Sequence, residues 1–366
     1  MKPAFLQLLE NRKDSGSYRS LSLFQDFVDF YSNDYLGISR RTKIKNQKLN
    51  SDRLGSGGSR LISGNSIAAE NCETFLADFF GSEAALVFNS GYDANIGLFS
   101  SVPQKGNTII YDALIHASIR DGIRLSHAKS YSFAHNDLHD LEKKLKISEG
   151  TVFVAVESLY SMDGDICPID AMIELCEKYN AFLIVDEAHA AGVLGENGKG
   201  LTYNKQVFAR IITFGKGYGF HGAAVLGSED LKNYLINFAR SFIYTTALPM
   251  QDYVLIQQQI ESSLDNQPRI QLQSNIDFFR SKLNYQGVST ANSPIQIIEV
   301  PGVENALSLA KRLQENNFAV KAILSPTVPE GKERIRICIH AFNTKEEIEK
   351  LTEILLPSLF TLSLSK

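Results

Sequence analysis

The chain has 366 residues, of which 44% are hydrophobic and 21% charged, and its formal net charge is -4. A chain of this length and composition can bury a large core, which excludes a disordered or fibrous protein and favours a large domain plus a smaller one. The slightly acidic balance predicts neither a nucleic-acid nor a membrane partner, because both require a basic patch. We therefore expect chemistry on small molecules.

The N-terminal segment and the cysteines indicate a cytoplasmic protein. Met1–Arg12 mixes charged with apolar residues, and no run of eighteen apolar residues follows. The cysteines have neither the density of a disulfide scaffold nor the CxxC spacing of a zinc site, so we expect reduced core thiols and no metal. They are Cys72, Cys167, Cys176 and Cys338.

Residues 1–45 are predicted to form an N-terminal arm, with one helical segment, a hairpin around Leu23–Tyr31 and a turn at Ser32–Gly37. From about residue 70, helical periodicity alternates with short apolar runs, which is typical of a mostly parallel sheet flanked by helices. We assign residues 46–264 to this large domain. Its predicted strands, apolar as expected for strands covered on both faces, are Ala84–Phe88, Thr108–Tyr111, Thr151–Val156, Ala181–Val185 and Ile211–Phe214.

After Pro249 the pattern changes to a long polar helical stretch, Gln251–Leu283, followed by strands at Ile295–Val300 and Arg334–Ile339. This predicts a smaller α+β domain over residues 265–366. The fold class is therefore α/β. Ligands in open α/β sheets bind beyond the carboxyl ends of the strands, so functional residues are sought there.

Lys216 follows the predicted strand Ile211–Phe214 and has glycines at positions 215, 217 and 219. Glycines let the backbone approach a bulky planar group, and a partly desolvated amine there can form a Schiff base with an aldehyde cofactor. The alternative is an ordinary surface lysine.

Asp186 and His189 follow the predicted strand Ala181–Val185. An acid at this place can pair with a pyridinium nitrogen and keep it protonated. The alternatives are a helix N-cap for Asp186 and a core histidine for His189. A metal site is not indicated, because His189 has no partner histidine at helical spacing.

Three further segments contain candidate site residues: a glycine turn, a histidine and a pair of arginines. Gly91 lies where a predicted strand turns into a helix, and the free N–H groups of a helix start can bind phosphate. His116 follows the next strand and can stack on a planar cofactor, although a capping or core histidine is the alternative. Arg334 and Arg336 share one face of a late strand, where one can hold a substrate carboxylate; a solvent-facing edge strand is the alternative. A lysine, an acid, a glycine turn and a histidine all follow predicted strands, and their occurrence together favours a functional site.

Over almost its full length the sequence resembles the α-oxoamine synthase family of fold-type-I pyridoxal-5′-phosphate (PLP) enzymes. The resemblance rests on segments that are specific as a set. They are Ser32–Gly37, Gly55–Arg60, Ser90–Asn95, Phe133–Asp137, Ser161–Gly164, Thr213–Lys216 and Ser325–Pro329.

The resemblance implies an aspartate-aminotransferase-like fold and a role for each matching residue. Lys216 carries PLP as a Schiff base, Asp186 pairs with the ring nitrogen, His116 stacks on the ring and His189 contacts the phenolic oxygen. The implied phosphate site comprises Ser90, Gly91, Tyr92 and Thr213, with Thr245 and Thr246 from the neighbouring subunit of a homodimer that shares its active sites. The implied substrate residues are Asn33, Ser161, which is also implied in cofactor binding, and Arg336, with Arg334 as the less favoured carboxylate ligand.

The implied reaction joins an amino acid to an acyl thioester, carried by coenzyme A or a carrier protein, with loss of carbon dioxide. The released Lys216 is the natural general base. Phe133–Asp137 and Ile243–Pro249 favour L-alanine with pimeloyl-CoA, which gives the biotin precursor 8-amino-7-oxononanoate. Glycine with acetyl-CoA is the nearest alternative. Serine palmitoyltransferase and 5-aminolevulinate synthase activities are less favoured, since those enzymes are usually longer at the N-terminus. Two further alternatives are less favoured: a catalytically silent partner subunit, and a PLP aminotransferase or lyase.

Some positions depart from the family pattern. Phe220 and His221 stand where relatives usually carry small residues, and Ala190-Ala191 replaces a more polar pair, so we expect a reshaped pocket. The early arginine that relatives use near the substrate has two candidates here, Arg12 and Arg19.

Overall fold

A computed structural model describes residues 3–41, 54–283, 287–289 and 291–364. The chain forms two compact units. The sheet unit comprises Leu36–Ser161 and Ile166–Gln267, and the terminal unit comprises Met1–Tyr35, Met162–Asp165 and Pro268–Lys366. The predicted boundary near residue 45 lies outside the described residues, and the predicted three-part division of the chain stays a prediction.

The described part of the sheet unit contains a seven-stranded sheet of order β2-β8-β7-β6-β5-β3-β4, in which β8 is antiparallel to both of its neighbours and the other pairs are parallel. Six strands therefore point the same way, and their carboxyl ends share one edge. In the part of the chain that the structure describes, the strands are β1 Val28–Asp29, β2 Ala84–Phe88, β3 Thr108–Asp112, β4 Lys129–Phe133, β5 Val152–Glu157, β6 Phe182–Asp186, β7 Ala209–Thr213, β8 Ala223–Gly227, β9 Ile295–Glu299, β10 Phe318–Ala319, β11 Lys321–Ile323 and β12 Arg334–Cys338.

Helices pack on both faces of this sheet, which is why β2, β5 and β7 are buried along their whole length. Local sequence sets the helix ends: the Ser66 hydroxyl accepts from Ala69 N at the start of α3, and Gly81 takes a left-handed conformation after its end. The α-helices of the described residues are α1 Ala4–Asp14, α2 Ile38–Arg41, α3 Ile67–Phe80, α4 Gly91–Ser101, α5 Ala117–Leu125, α6 Leu138–Lys146, α7 Ile169–Lys178, α8 Glu229–Phe238, α9 Arg240–Ile243, α10 Met250–Ser262, α11 Gln267–Lys282, α12 Val303–Glu315 and α13 Lys345–Leu364.

The five strands predicted for the large domain are confirmed to within two residues at each end as β2, β3, β5, β6 and β7. The predicted single helical stretch Gln251–Leu283 is two helices, α10 and α11, separated by a turn. Among the described residues, no helix is long and apolar enough to cross a membrane.

The terminal unit contains the antiparallel sheet β11-β12-β9 and the parallel pair β1-β10. The predicted hairpin around Leu23–Tyr31 is wrong: Val28–Asp29 pairs with Phe318–Ala319, far away in the chain. This pairing ties the N-terminal segment to the C-terminal part of the chain.

Candidate active site

The residues predicted to hold a cofactor lie together at the carboxyl edge of the large sheet. Gly91 follows β2, His116 follows β3, Asp186 ends β6 and Thr213 ends β7, with Lys216 three residues later. Because these strands are parallel to one another, their ends face the same side of the sheet unit. The topology thus brings one amine, one carboxylate, one imidazole and one helix N-terminus to a common edge.

Lys216 lies in a short connection between β7 and β8 that closes on itself. Phe214 N donates to Gly222 O at 2.9 Å, and Phe220 N donates to Phe214 O at 2.8 Å. The sequence-based role for the neighbouring glycines is wrong at two positions. A Cβ at Gly217 would lie 2.4 Å from Ala191 O, and one at Gly219 would lie 2.4 Å from Ser39 N, so these glycines admit the chain's own backbone.

The Lys216 amine is 2.8 Å from His189 Nε2, and the lysine is only half-buried. His189 itself is buried, with 4% of its surface exposed. The imidazole therefore holds the amine at a defined place, while the amine stays accessible to a ligand. A half-buried amine at the sheet edge fits the predicted role of a lysine that reacts with an aldehyde.

Asp186 is 5% exposed and carries hydrogen bonds on both carboxylate oxygens. Its Oδ1 accepts from Ala188 N at 2.9 Å, and its Oδ2 accepts from Asn95 Nδ2 at 2.7 Å. These two donors fix the orientation of the carboxylate. The residue can thus present a fixed negative charge at the sheet edge, as a partner for a protonated ring nitrogen needs.

The turn before α4 has the geometry of an anion site. The Ser90 hydroxyl caps the helix by accepting from Asp93 N at 3.1 Å, which leaves the first-turn N–H groups of Gly91 and Tyr92 without acceptors in the helix. A Cβ at Gly91 would lie 3.6 Å from Thr213 Oγ1, so the threonine hydroxyl is adjacent. The Tyr92 side chain is 44% exposed, and its hydroxyl donates to Asp121.

Thr245 and Thr246 lie near this turn within a single chain. Asn89 Nδ2 donates to Thr245 Oγ1 at 3.1 Å and to Thr246 O at 2.9 Å. Asn89, which sequence reasoning did not single out, immediately precedes Ser90. It links the threonine segment to the anion turn.

His116 caps α5: its Nδ1 accepts from Ser118 N at 3.2 Å and lies 2.7 Å from Ser118 Oγ. The capping interpretation is therefore correct for this residue, and it leaves Nε2 of the ring for a ligand. The histidine is accessible to solvent. Even so, the protein packed around it desolvates the ring and lowers its pKa below the ordinary value; Lys216 acts in the same direction, while Asp186 and Asp121 oppose it.

Glu157, at the end of β5, was missed by sequence reasoning. It is 3% exposed, pairs in register with Asp186, and its Oε1 has no hydrogen-bond partner. Burial, reinforced by the Asp186 charge and opposed by Lys216, raises its pKa well above the ordinary value. The available signal was an acid that ends a continuously apolar run, the same signal that identified Asp186.

Replacing Glu157 with glutamine is expected to stabilise the protein at alkaline pH. The folded chain keeps a proton that the unfolded chain releases above the ordinary value of 4.5, so wild-type stability falls as pH rises beyond that value. The unfolding midpoint of Glu157→Gln should exceed that of wild type by about 2 °C at roughly pH 8, and the difference should vanish near pH 4. Thermal unfolding followed across pH measures this. Glu174→Gln, at an exposed position, should show no such trend, and a pH-independent difference would contradict the buried-acid assignment.

The predicted substrate residues of the terminal unit form a separate group around β12. Arg336 Nη2 donates to Asn33 Oδ1 at 3.0 Å, and Tyr35 OH donates to the same oxygen at 3.1 Å. Arg334, by contrast, is 5% exposed and bonds Asp163 and the carbonyl of Met162. The two arginines of one strand therefore have different surroundings.

The remaining predicted positions, one serine, two candidate arginines and the alanine pair, differ in their burial and contacts. Ser161 is half-buried, four residues after β5. Arg19 Nη2 donates to Thr327 Oγ1 at 3.1 Å within the terminal unit, whereas α1, which contains Arg12, buries none of its residues. Ala190 and Ala191 are fully buried, so that pair packs the core and does not line a pocket.

The other two residues that depart from the family pattern, Phe220 and His221, differ in how deeply they are buried. Phe220 packs, partly buried, against the cluster that includes Phe214 and Tyr218, whereas His221 is exposed. Of the unusual residues, His221 is the most exposed, and Phe220 contributes part of its surface as well.

A mostly parallel sheet with a lysine, an acid and a helix N-terminus at one edge is the architecture of fold-type-I PLP-dependent transferases, and the predicted fold class is confirmed by solved structures. Residues 25–355 match the family model described as aminotransferase class I and II. The chain belongs to this family.

Individual relatives indicate a narrower class of enzyme than the family model does. The chain is 41% identical to an 8-amino-7-oxononanoate synthase from Emericella nidulans, with 96% of this chain and 94% of the relative aligned. It is 37% identical to one from Lysinibacillus sphaericus, over 95% and 96% of the two chains. The predicted resemblance is thereby confirmed.

Solved structures agree with this. An 8-amino-7-oxononanoate synthase from Francisella tularensis superposes with a TM-score of 0.80 at 32% identity, covering 92% of this chain and 99% of its own. A serine palmitoyltransferase from S. paucimobilis with a bound PLP–myriocin aldimine gives a TM-score of 0.90 at 25% identity, covering 98% of both chains.

Proposed function

We propose that the protein is a PLP-dependent C-acyltransferase that condenses L-alanine with pimeloyl-CoA, with loss of carbon dioxide, to give 8-amino-7-oxononanoate for biotin synthesis. The observation that carries the proposal is similarity to synthases of that name along nearly the full chain, in a protein that keeps Lys216 beside His189. The four cysteines, all within the described residues, are buried free thiols, which supports a cytoplasmic location.

The residues of the sheet unit fit PLP. The Lys216 amine can hold the aldehyde carbon, Asp186 can pair with the ring nitrogen, and the helix start at Gly91 with Thr213 can bind the phosphate. When bound, PLP supplies an electron-accepting ring that stabilises negative charge at the α-carbon of an amino acid. A ligand with one aldehyde, one ring nitrogen and one phosphate thus matches the groups present.

The chain's own residues supply the proton movements. The Lys216 amine would accept the α-proton of the amino acid, and its contact with His189 Nε2 keeps the amine in place. His116 presents Nε2 of its ring, because its Nδ1 is engaged by Ser118. Asp186 holds the charge that keeps the ring nitrogen protonated. Each role follows from an atom whose partners are fixed by the fold.

Arg336 is proposed as the ligand of the substrate carboxylate. Its guanidinium donates to Asn33 Oδ1 and lies within hydrogen-bond distance of Tyr35 OH and Cys338 Sγ, whereas the Arg334 guanidinium pairs with Asp163. A planar guanidinium binds a carboxylate through two parallel hydrogen bonds, and this specificity is lost with lysine.

The two arginines should therefore respond differently to the same substitution. Arg336→Lys is expected to raise the KM for the amino acid by about 10-fold to 100-fold, with little change in the unfolding midpoint. Arg334→Lys is expected to cost about 2 kcal/mol of stability, because lysine cannot replace its bonds to Asp163 and the Met162 carbonyl. Steady-state kinetics and thermal unfolding separate the two effects, and the opposite pattern would assign the carboxylate to Arg334.

A homodimer with shared active sites is proposed as the working assembly. Several large apolar side chains of the sheet unit are exposed in the single chain: Tyr244, which precedes Thr245, is 71% exposed, Ile62 84% and Ile67 80%. A second copy would cover such a surface. Light scattering of the purified protein tests the assembly, and a monomeric active enzyme would contradict it.

Thiol release tests the reaction. The PLP-loaded protein is supplied with L-alanine and pimeloyl-CoA or, separately, with glycine and acetyl-CoA. Release with the first pair only is expected. Release with glycine and acetyl-CoA only would make the protein a glycine C-acetyltransferase, and release with neither would contradict both assignments.

A further inference from the structure

Asn95 joins two parts of the site that are far apart in the chain. It lies on α4, is 2% exposed, and its single Nδ2 donates to Asp186 Oδ2 at 2.7 Å and to Ser118 Oγ at 3.0 Å. Its Oδ1 is buried and has no hydrogen-bond partner. Turning the amide over would place this oxygen against the Asp186 carboxylate, so acceptor would face acceptor. The carboxylate therefore fixes the direction of the amide.

The direction of the amide in turn fixes the hydroxyl of Ser118. This hydroxyl is fully buried and accepts one hydrogen bond from Asn95, so its own proton must point elsewhere. The neighbouring acceptor is His116 Nδ1, 2.7 Å from Ser118 Oγ. The backbone N–H of Ser118 donates to the same nitrogen at 3.2 Å. Two donors thus converge on Nδ1.

A ring nitrogen that accepts two hydrogen bonds carries a lone pair and no proton. The single proton of a neutral His116 must then lie on Nε2. The charged and titratable groups around the ring are Asp186 on β6, Lys216 after β7, Asp121 on α5 and Glu157 on β5, whose carboxyl accepts the His116 backbone N–H.

We propose that Asn95 and Ser118 are positioning residues which, through the chain Asp186–Asn95–Ser118–His116, hold His116 neutral with its proton on Nε2. The consequence for catalysis rests on the proposed function: a donor N–H is kept on the ring nitrogen that remains for ligands, and its orientation is set by the same carboxylate that pairs with the cofactor ring. The tautomer itself is independent of whether the cofactor binds.

The tautomer can be observed directly in the full-length protein. Histidines labelled with nitrogen-15 report the protonated nitrogen through long-range proton–nitrogen correlations, and the His116 signals are those lost in His116→Asn. Spectra are recorded across pH with and without PLP. We expect the Nε2–H form at neutral pH in both samples. An Nδ1–H form, or a charged ring at neutral pH, would overturn the proposal.

Two variants test the chain of hydrogen bonds. Ser118→Ala removes one donor to Nδ1, and Asn95→Ala frees the Ser118 hydroxyl to turn, so each should raise the pKa of His116, with Ser118→Ala giving a rise on the order of one unit. Ser101→Ala is the matched control: it removes a buried hydroxyl from the same helix as Asn95, but that hydroxyl bonds only to Gly97 O at 2.6 Å. The control should leave the titration unchanged.

The acid limb of the kcat/KM profile should move to higher pH in Ser118→Ala, since neutral His116 is the working form. A Ser118→Ala titration identical to wild type would overturn the proposal even if Asn95→Ala fails to fold. Absence of PLP binding by the wild-type chain would remove the proposed function, while the tautomer would still be read from the cofactor-free sample. The two proposals can therefore fail separately.

Discussion

Replacing Lys216 with alanine is expected to lower kcat/KM by at least about 10³-fold and to remove the absorbance of the lysine-bound cofactor. The amine has two proposed tasks, to carry PLP and to accept the α-proton, and it lies 2.8 Å from His189 Nε2. The measurement is steady-state kinetics together with the absorption spectrum of the purified variant.

Lys205→Ala is a suitable control for this prediction. Its side chain is partly exposed, like that of Lys216, but it pairs with Asp170 on the surface. Activity and spectrum should be those of wild type. If Lys216→Ala kept its lysine-type spectrum, another lysine would have to carry the cofactor, and the assignment of the site would be wrong.

Asp186→Asn is expected to lower kcat/KM by about 10³-fold and to cost about 1–3 kcal/mol of stability. The new amide has a single oxygen, which can accept from Ala188 N or from Asn95 Nδ2, while its NH2 group faces the other donor, so one of the two hydrogen bonds is lost. The kinetic effect has a separate cause. What disappears is the negative charge that keeps the cofactor ring nitrogen protonated. Kinetics, cofactor affinity and thermal unfolding measured on one preparation separate these effects.

Glu187→Gln provides the contrast. Glu187 is the next residue, fully buried, and its carboxylate accepts from Ser158 Oγ, Leu201 N and Thr202 N. Its substitution should cost about 1–3 kcal/mol of stability and leave the cofactor spectrum intact. Equal kinetic losses in both variants would show that Asp186 acts only through folding.

The large sheet was predictable where strands are covered on both faces, because such strands are continuous apolar runs. Two strands lack that signal. In β4, at the sheet edge, four of five residues are exposed, and β8 is built mainly of small residues. The parallel pair of Val28–Asp29 with Phe318–Ala319 could not be predicted, because nothing local to either segment specifies a partner so distant in sequence.

The site was predictable in its charged and glycine-rich members, which interrupt the apolar pattern at strand ends. Its supporting residues were not. Asn95 and Ser118 act through hydrogen bonds between separate elements, and these depend on how α4 and α5 pack together. The only local hint for Asn95 is a polar side chain on the buried face of an otherwise apolar helix, next to Ala94 and Leu98.

The closed connection that carries Lys216 has a consequence for how this scaffold can be changed. Two backbone hydrogen bonds tie Phe214 to Gly222 and Phe220, and Gly217 and Gly219 are pressed against neighbouring backbone. An inserted residue or a side chain at either glycine would displace the lysine itself. A programme of directed evolution toward new acyl donors should therefore leave residues 214–222 untouched, with the exposed position His221 as the one exception, and should diversify other surfaces.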